Sequence, residues 1–229
     1  MDPAWHVSFD HYFDNLSAKF CHSVALPCRS PSSSSRSHSK SRCISPSQAS
    51  AVFRAGMHEY NYLYRAAPLS LAAATASYGA FLAELAANLR RAAAGDGTAE
   101  VRYRHNIAHD GSVSRLLSIL QVEEMGWPGM GAEVVFELWR RRRRTSISVS
   151  RSRSRSRSGS SASASVSVDG DRQEEGEWYV RVLWMGRVLR SSHPELGVMD
   201  MVPLERVVGY FDSLVGRDGA RLMELCGLE

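Results

Sequence analysis

His109 and Asp110 stand side by side in "RHNIAHDGSVSRLLSIL", residues 104–120, after a short apolar run and before a Ser-led amphipathic segment. An imidazolium in such a pair can donate a hydrogen bond to an anionic oxygen, and a neutral carboxylic acid can protonate a leaving group. The second role requires Asp110 to keep its proton, through burial or a neighbouring negative charge; a bound phosphate would bring that charge. The other reading of these residues is a satisfied histidine and an aspartate acting as a turn or capping residue. A His-Asp dipeptide carries little weight alone in a chain with eight histidines. Its placement decides how much weight it gains.

Val101 and Tyr103 alternate with Arg102 and Arg104, which predicts a strand running to Ile107–Ala108 and stopping at His109–Asp110–Gly111. Val113, Leu116, Leu117 and Leu120 then fall at helical spacing, with Ser112 where an N-cap belongs. The pair is thus expected in a strand-to-helix turn. That turn lies at the carboxyl end of a strand, where α/β sheets form their sites. The N–H groups and dipole of the following helix would suit an anion.

The flanking segments predict what must hold that turn. Residues 1–28 mix aromatic and polar side chains and read as short helical turns against something larger. A helix is expected from Ser45–Pro46–Ser47 to about Tyr64, and an Ala-rich helix over about 69–93, ended by Gly95. "AEVVFELWR" (132–140) and "EWYVRVLWMGRVL" (177–189) read as an antiparallel hairpin, with a turn at 185–189 into a third short strand. An amphipathic helix over 202–214 and a short closing helix complete the pattern. His22 reads as a surface or packing residue, His58 and Tyr60–Tyr64 as packing against the sheet, and Trp127–Pro128–Gly129 as a turn.

The chain has 229 residues, 44% hydrophobic and 23% charged, enough for one sizeable domain or two small ones. The net charge of +4 comes from Ser/Arg tracts at 29–42 and 140–157, outside which acidic residues outnumber basic ones. The charge therefore belongs to inserts and not to a basic binding face. Two disordered segments are expected, a Ser/Arg insert at 29–42 and a hairpin insert at 141–175. The rival function these tracts offer is a Ser/Arg-rich interaction or RNA-binding protein on a non-catalytic α/β core. No RNA-recognition motif or aromatic platform accompanies them, so nucleic acid is not expected as a partner. No apolar run is long enough to span a membrane, and "MDPAWHVSFDHYF" lacks the basic and apolar regions of a signal peptide. Three of the four cysteines surround one loop, which suggests a disulfide there and an oxidising compartment, with the pairing open. Their spacing fits no zinc pattern, and neither metal nor cofactor is expected.

The ordered series "YRHNIAHDGSVSRLLSIL", "WPGMGAEVVFELWR" and "WYVRVLWMGRVLR" resembles the C-terminal half of a histidine acid phosphatase, of the fungal acid phosphatase and phytase kind. "SFDHYFDNLSAKFCH", "LPC" and "YNYLYR" extend the likeness upstream. The resemblance implies a three-layer α/β sandwich like that of phosphoglycerate mutase, with a mixed sheet and added helices. It implies one domain over residues 1–229, incomplete at the N-terminus, and a place in the secretory pathway. It also implies hydrolysis of phosphate monoesters through a phosphohistidine, with Asp110 as general acid and His109 as a phosphate contact. The family's Arg-His-Gly-x-Arg-x-Pro motif, which supplies the nucleophile, does not occur; the only Arg-His is Arg104–His105, followed by Asn106. The expectation is a truncated chain or incomplete gene model with little or no turnover, because a general acid without its nucleophile loses most of the rate.

Overall fold

Residues 9–29, 42–95, 101–141 and 176–227 are described in the computed structural model of the chain. Helix α1, Phe9–Cys21, leads to a two-residue ladder, β1 (Cys28–Arg29) with β2 (Arg42–Cys43). A Cys28–Cys43 disulfide closes this ladder, while Cys21 and Cys226 are free and exposed. Of the pairings the sequence left open, this is the one adopted.

Helix α2, Pro46–Asn61, starts as its sequence predicts. The Ser45 hydroxyl accepts from the Gln48 amide at 3.3 Å, and the Gln48 side chain accepts from the Ser45 amide at 2.8 Å. This capping box satisfies two N–H groups that a helix start would otherwise leave bare. A π-helical stretch, Tyr62–Ala66, separates α2 from α3, Ser70–Ala94. Gly95 ends α3 at φ 68, a left-handed conformation that a side chain would strain. Helix α4 then spans Asp110–Ile119.

The sheet is a hairpin with two short additions. β3 (Val134–Arg141) pairs antiparallel with β4 (Glu177–Trp184), in register from Val134 opposite Trp184 to Arg141 opposite Glu177. β5 (Arg187–Val188) and β6 (Val202–Pro203) both pair antiparallel with β4. The tight turn into β5 uses Met185 and Gly186, both at positive φ (49 and 72), the backbone that matches strand twist in a two-residue hairpin. Helix α5 (Leu204–Val215) and the short α6 (Leu222–Leu225) complete the chain. The α/β class is the one expected, and every pairing among the described strands is antiparallel.

The hairpin register explains the core. Phe136 lies opposite Val182 and Leu138 opposite Val180, so their side chains share one face. Val180 and Val182 are fully buried there, packed with Leu82 and Ala86 of α3, Leu117 and Ile119 of α4, and Val207 and Phe211 of α5. The opposite face carries a polar pattern, with Arg181 bonded to Asp200 at 2.7 Å and to Glu137 at 3.4 Å. Arg90 of α3 pairs with Asp212 of α5, and the Tyr210 hydroxyl donates to the Ile119 carbonyl at 2.6 Å. No single described helix is long and apolar enough to cross a membrane.

Two expectations need correction. Residues 101–108 form no strand, and Val101, Tyr103 and Ile107 are exposed. Alternation marks a segment able to sit in a sheet, but a strand forms only where a neighbour takes its N–H and C=O groups. Helix α4 also starts two residues before Ser112, with His109 as its N-cap. The amides of Ser112 and Val113 both donate to the His109 carbonyl at 3.0 Å, which makes that residue, not Ser112, the boundary. Most of the inserts expected at 29–42 and 141–175 lies outside the described residues.

Phe211 is wholly buried between the helices and the sheet. Phe211→Ala is expected to lower the unfolding free energy by about 3–5 kcal/mol, from lost transfer energy and the cavity left behind. Urea denaturation followed by circular dichroism measures this; a loss below about 1 kcal/mol would contradict the packing.

Candidate active site

Asp110 is the first residue of α4, half-buried, with His109 exposed beside it as the N-cap. The pair therefore sits at a helix start and not in the strand-to-helix turn expected from the sequence. The two residues remain adjacent, and the helix N-terminus is a favourable place for an acidic side chain. No side-chain capping bond is made by His109.

Three donors converge on the Asp110 carboxyl. The Gly111 amide donates to Oδ1 at 2.6 Å. The Trp127 indole Nε1–H donates to Oδ2 at 2.8 Å, and the Tyr60 hydroxyl donates to the same oxygen at 3.0 Å. They come from α4 itself, from the loop after it and from α2. The Gly111, Ser112 and Val113 amides are thus engaged by Asp110 and His109, so the negative group nearest this helix start is the chain's own carboxyl.

An aromatic stack supports the arrangement. The Trp127 ring lies between Phe13 of α1, with centroids 3.9 Å apart and planes at 1°, and Tyr60, at 4.0 Å and 20°. Gly56 is buried beneath it; a Cβ there would come within 2.5 Å of the Phe13 ring and 3.1 Å of Trp127. The Trp127 amide donates to the Met57 sulfur at 3.3 Å. Arg115, one turn along α4, donates to the Gly111 carbonyl at 2.8 Å and to the Ser77 hydroxyl at 3.0 Å. Its guanidinium lies 5.9 Å from the centre of the Tyr64 ring, placing a cation beside the carboxyl-bearing turn.

Burial drives the Tyr60 hydroxyl well above its ordinary 10.0, and the charge and hydrogen bond of Asp110 push the same way. Asp14 of α1 is also raised, first by burial and then by the negative charges of Asp110 and Asp10, against a lowering from His11. Acidic groups of α1 and α4 thus share one electrostatic environment. Among the described residues, no three of His, Cys, Asp and Glu cluster as a metal site requires.

Tyr60 and Trp127 are the site residues that sequence reading missed. Tyr60 was expected against the sheet and Trp127 in a plain turn; both instead hold Asp110. Nothing local to either residue in the sequence marks it as a carboxyl partner. His22, expected as a surface or packing residue, is exposed; His58, expected to pack against the sheet, is exposed as well.

Comparison with known proteins adds an independent line. The sequence profile described as Histidine phosphatase superfamily (branch 2) matches residues 13–183. A curated protein named 2-phosphoxylose phosphatase 1, from Danio rerio, is 32% identical over 130 residues, covering 55% of this chain. That match spans 26% of the relative's own length. No solved structure matches the chain.

The raised hydroxyl of Tyr60 has a consequence for stability. The folded state holds this proton more tightly than the unfolded chain, so the contribution is fully present below 10.0 and is lost as pH rises beyond it. Tyr60→Phe is expected to flatten the alkaline fall in stability while leaving its value at neutral pH changed only by the lost hydrogen bond, about 1 kcal/mol. Denaturation curves across alkaline pH measure both; an equally steep fall in the variant would contradict the assignment.

Proposed function

This chain belongs to the histidine phosphatase superfamily (branch 2), and from that premise we propose that it recognises phosphate monoesters through the start of α4. In this reading the His109 imidazolium donates to a phosphoryl oxygen. Where a nucleophile forms its bond to phosphorus as the bond from phosphorus to the ester oxygen breaks, the Asp110 carboxylic acid gives its proton to that oxygen and the alcohol leaves neutral. The observation that carries the reading is the Asp110 carboxyl, half-buried, held by three donors and flanked by a histidine at a helix N-terminus.

The finer placement, among acid phosphatases and phytases of filamentous fungi, rests on the ordered motifs of the sequence. The relative's name adds phosphorylated sugars to the substrates worth testing. The Cys28–Cys43 disulfide supports a secretory location, since such bonds persist in oxidising compartments. The 229 residues hold no Arg-His-Gly, and Arg104–His105 lies in an exposed segment without strand structure. The covalent step then has no nucleophile in a family-like setting, so this chain alone is expected to bind phosphate weakly and turn over little.

Two measurements on the purified chain test this. Inorganic phosphate titrated into nitrogen-15-labelled protein is expected to move the Gly111 and Ser112 amide resonances, and to do so less in His109→Ala. Hydrolysis of p-nitrophenyl phosphate at acid pH is expected to stay at the buffer blank. No response of these resonances at high phosphate would remove the binding reading. Turnover that vanishes in Asp110→Ala would instead show that the chain has its own nucleophile.

A further inference from the structure

We propose that Tyr60 and Trp127 are positioning residues that set the plane of the Asp110 carboxyl, leaving Oδ1 as the oxygen from which a proton can depart. This rests on the reading of Asp110 as a general acid, and it adds two residues and one specific oxygen to that reading.

The argument is a count of lone pairs. A carboxyl offers about four acceptor positions, two on each oxygen. An indole N–H can only donate, so the oxygen facing Trp127 must present a lone pair to it. The Tyr60 hydroxyl, kept protonated by burial and by Asp110, donates to the same oxygen. Both positions on Oδ2 are then filled. On Oδ1 the Gly111 amide takes one, and one remains. A proton carried by Asp110 therefore belongs on Oδ1, because a half-turn of the carboxyl would set the protonated oxygen before two donors with one acceptor position left, at the cost of a hydrogen bond.

The donors are themselves fixed. Trp127 is clasped on both ring faces by Phe13 and Tyr60, and its backbone amide is bonded to Met57. Gly56 supplies the room, because a side chain there would displace Phe13. A ring needed only to fill space would require no N–H aimed at Oδ2.

Resonances of the labelled full chain test this apart from phosphate binding. Trp127→Phe identifies the Trp127 indole among the five tryptophans and keeps a ring in the stack. In Asp110→Ala the Trp127 indole N–H is expected to move upfield and exchange about tenfold faster, as loss of its hydrogen-bond acceptor implies. In Tyr60→Phe, and again in Trp127→Phe, the Gly111 amide resonance is expected to shift as the carboxyl plane relaxes. Tyr60→Phe removes a single oxygen, so the test stands even where the tryptophan variant unfolds. A Gly111 resonance identical to the parent's in folded Tyr60→Phe would overturn the proposal, as would an indole indifferent to Asp110→Ala. A failed phosphate titration with these shifts present would defeat the general-acid reading while leaving the clamp in place.

Discussion

A carboxyl drawn partly out of water must be met by donors, and this requirement organises the end of the molecule around Asp110. An unsatisfied buried acceptor costs about 1–3 kcal/mol, and more when charged, which is comparable to a large share of a domain's net stability. The chain answers with an amide from α4, an indole from the loop that follows and a phenol from α2. Each donor fixes the element that carries it. The helix start, the Trp127 loop and the α1–α2 pair are therefore held in one arrangement by a single acidic side chain and the rings stacked beside it.

The platform beneath is built on the central strand β4. Its pairing with β3 along eight positions places Val180, Val182, Phe136 and Leu138 on one face, and α3, α4 and α5 cover that face. Polar anchors then tie the layers at defined points. Arg90 joins α3 to α5, Tyr210 joins α5 to the end of α4, and Arg65 joins the π-helical stretch to the Val122 carbonyl at 2.9 Å. Burial holds the Tyr210 hydroxyl in its neutral donor form, pushed up to about 12. Since α4 is packed on the hydrophobic side through Leu117 and Ile119, its N-terminus, and with it His109 and Asp110, is presented from a rigid support.

Membership of the histidine phosphatase superfamily, which the match over residues 13–183 establishes, gives this support its chemical meaning. In the reading we propose, the His-Asp pair is one part of a phosphate-handling site, and the hydrogen bonds around Asp110 hold one of its oxygens toward the reacting group. Segment 101–108 is exposed and pairs with no described strand. It has the alternation of a strand and leads directly into His109.

Local features were readable from the sequence because their causes are local. The Ser45–Gln48 box, the Gly95 stop and the hairpin alternation of 134–141 with 177–184 each depend on residues a few positions apart or on a period of two. So did the adjacency of His109 and Asp110. What a sequence cannot carry is who stands next to whom across the fold. Tyr60 lies fifty positions before Asp110 and Trp127 seventeen after it, and only packing brings their donors to one oxygen. The same reason governs 101–108, where side-chain alternation was present and a neighbouring strand was not. Periodicity reports what a segment is able to bury, while hydrogen-bond partners at long range are chosen by the tertiary structure alone.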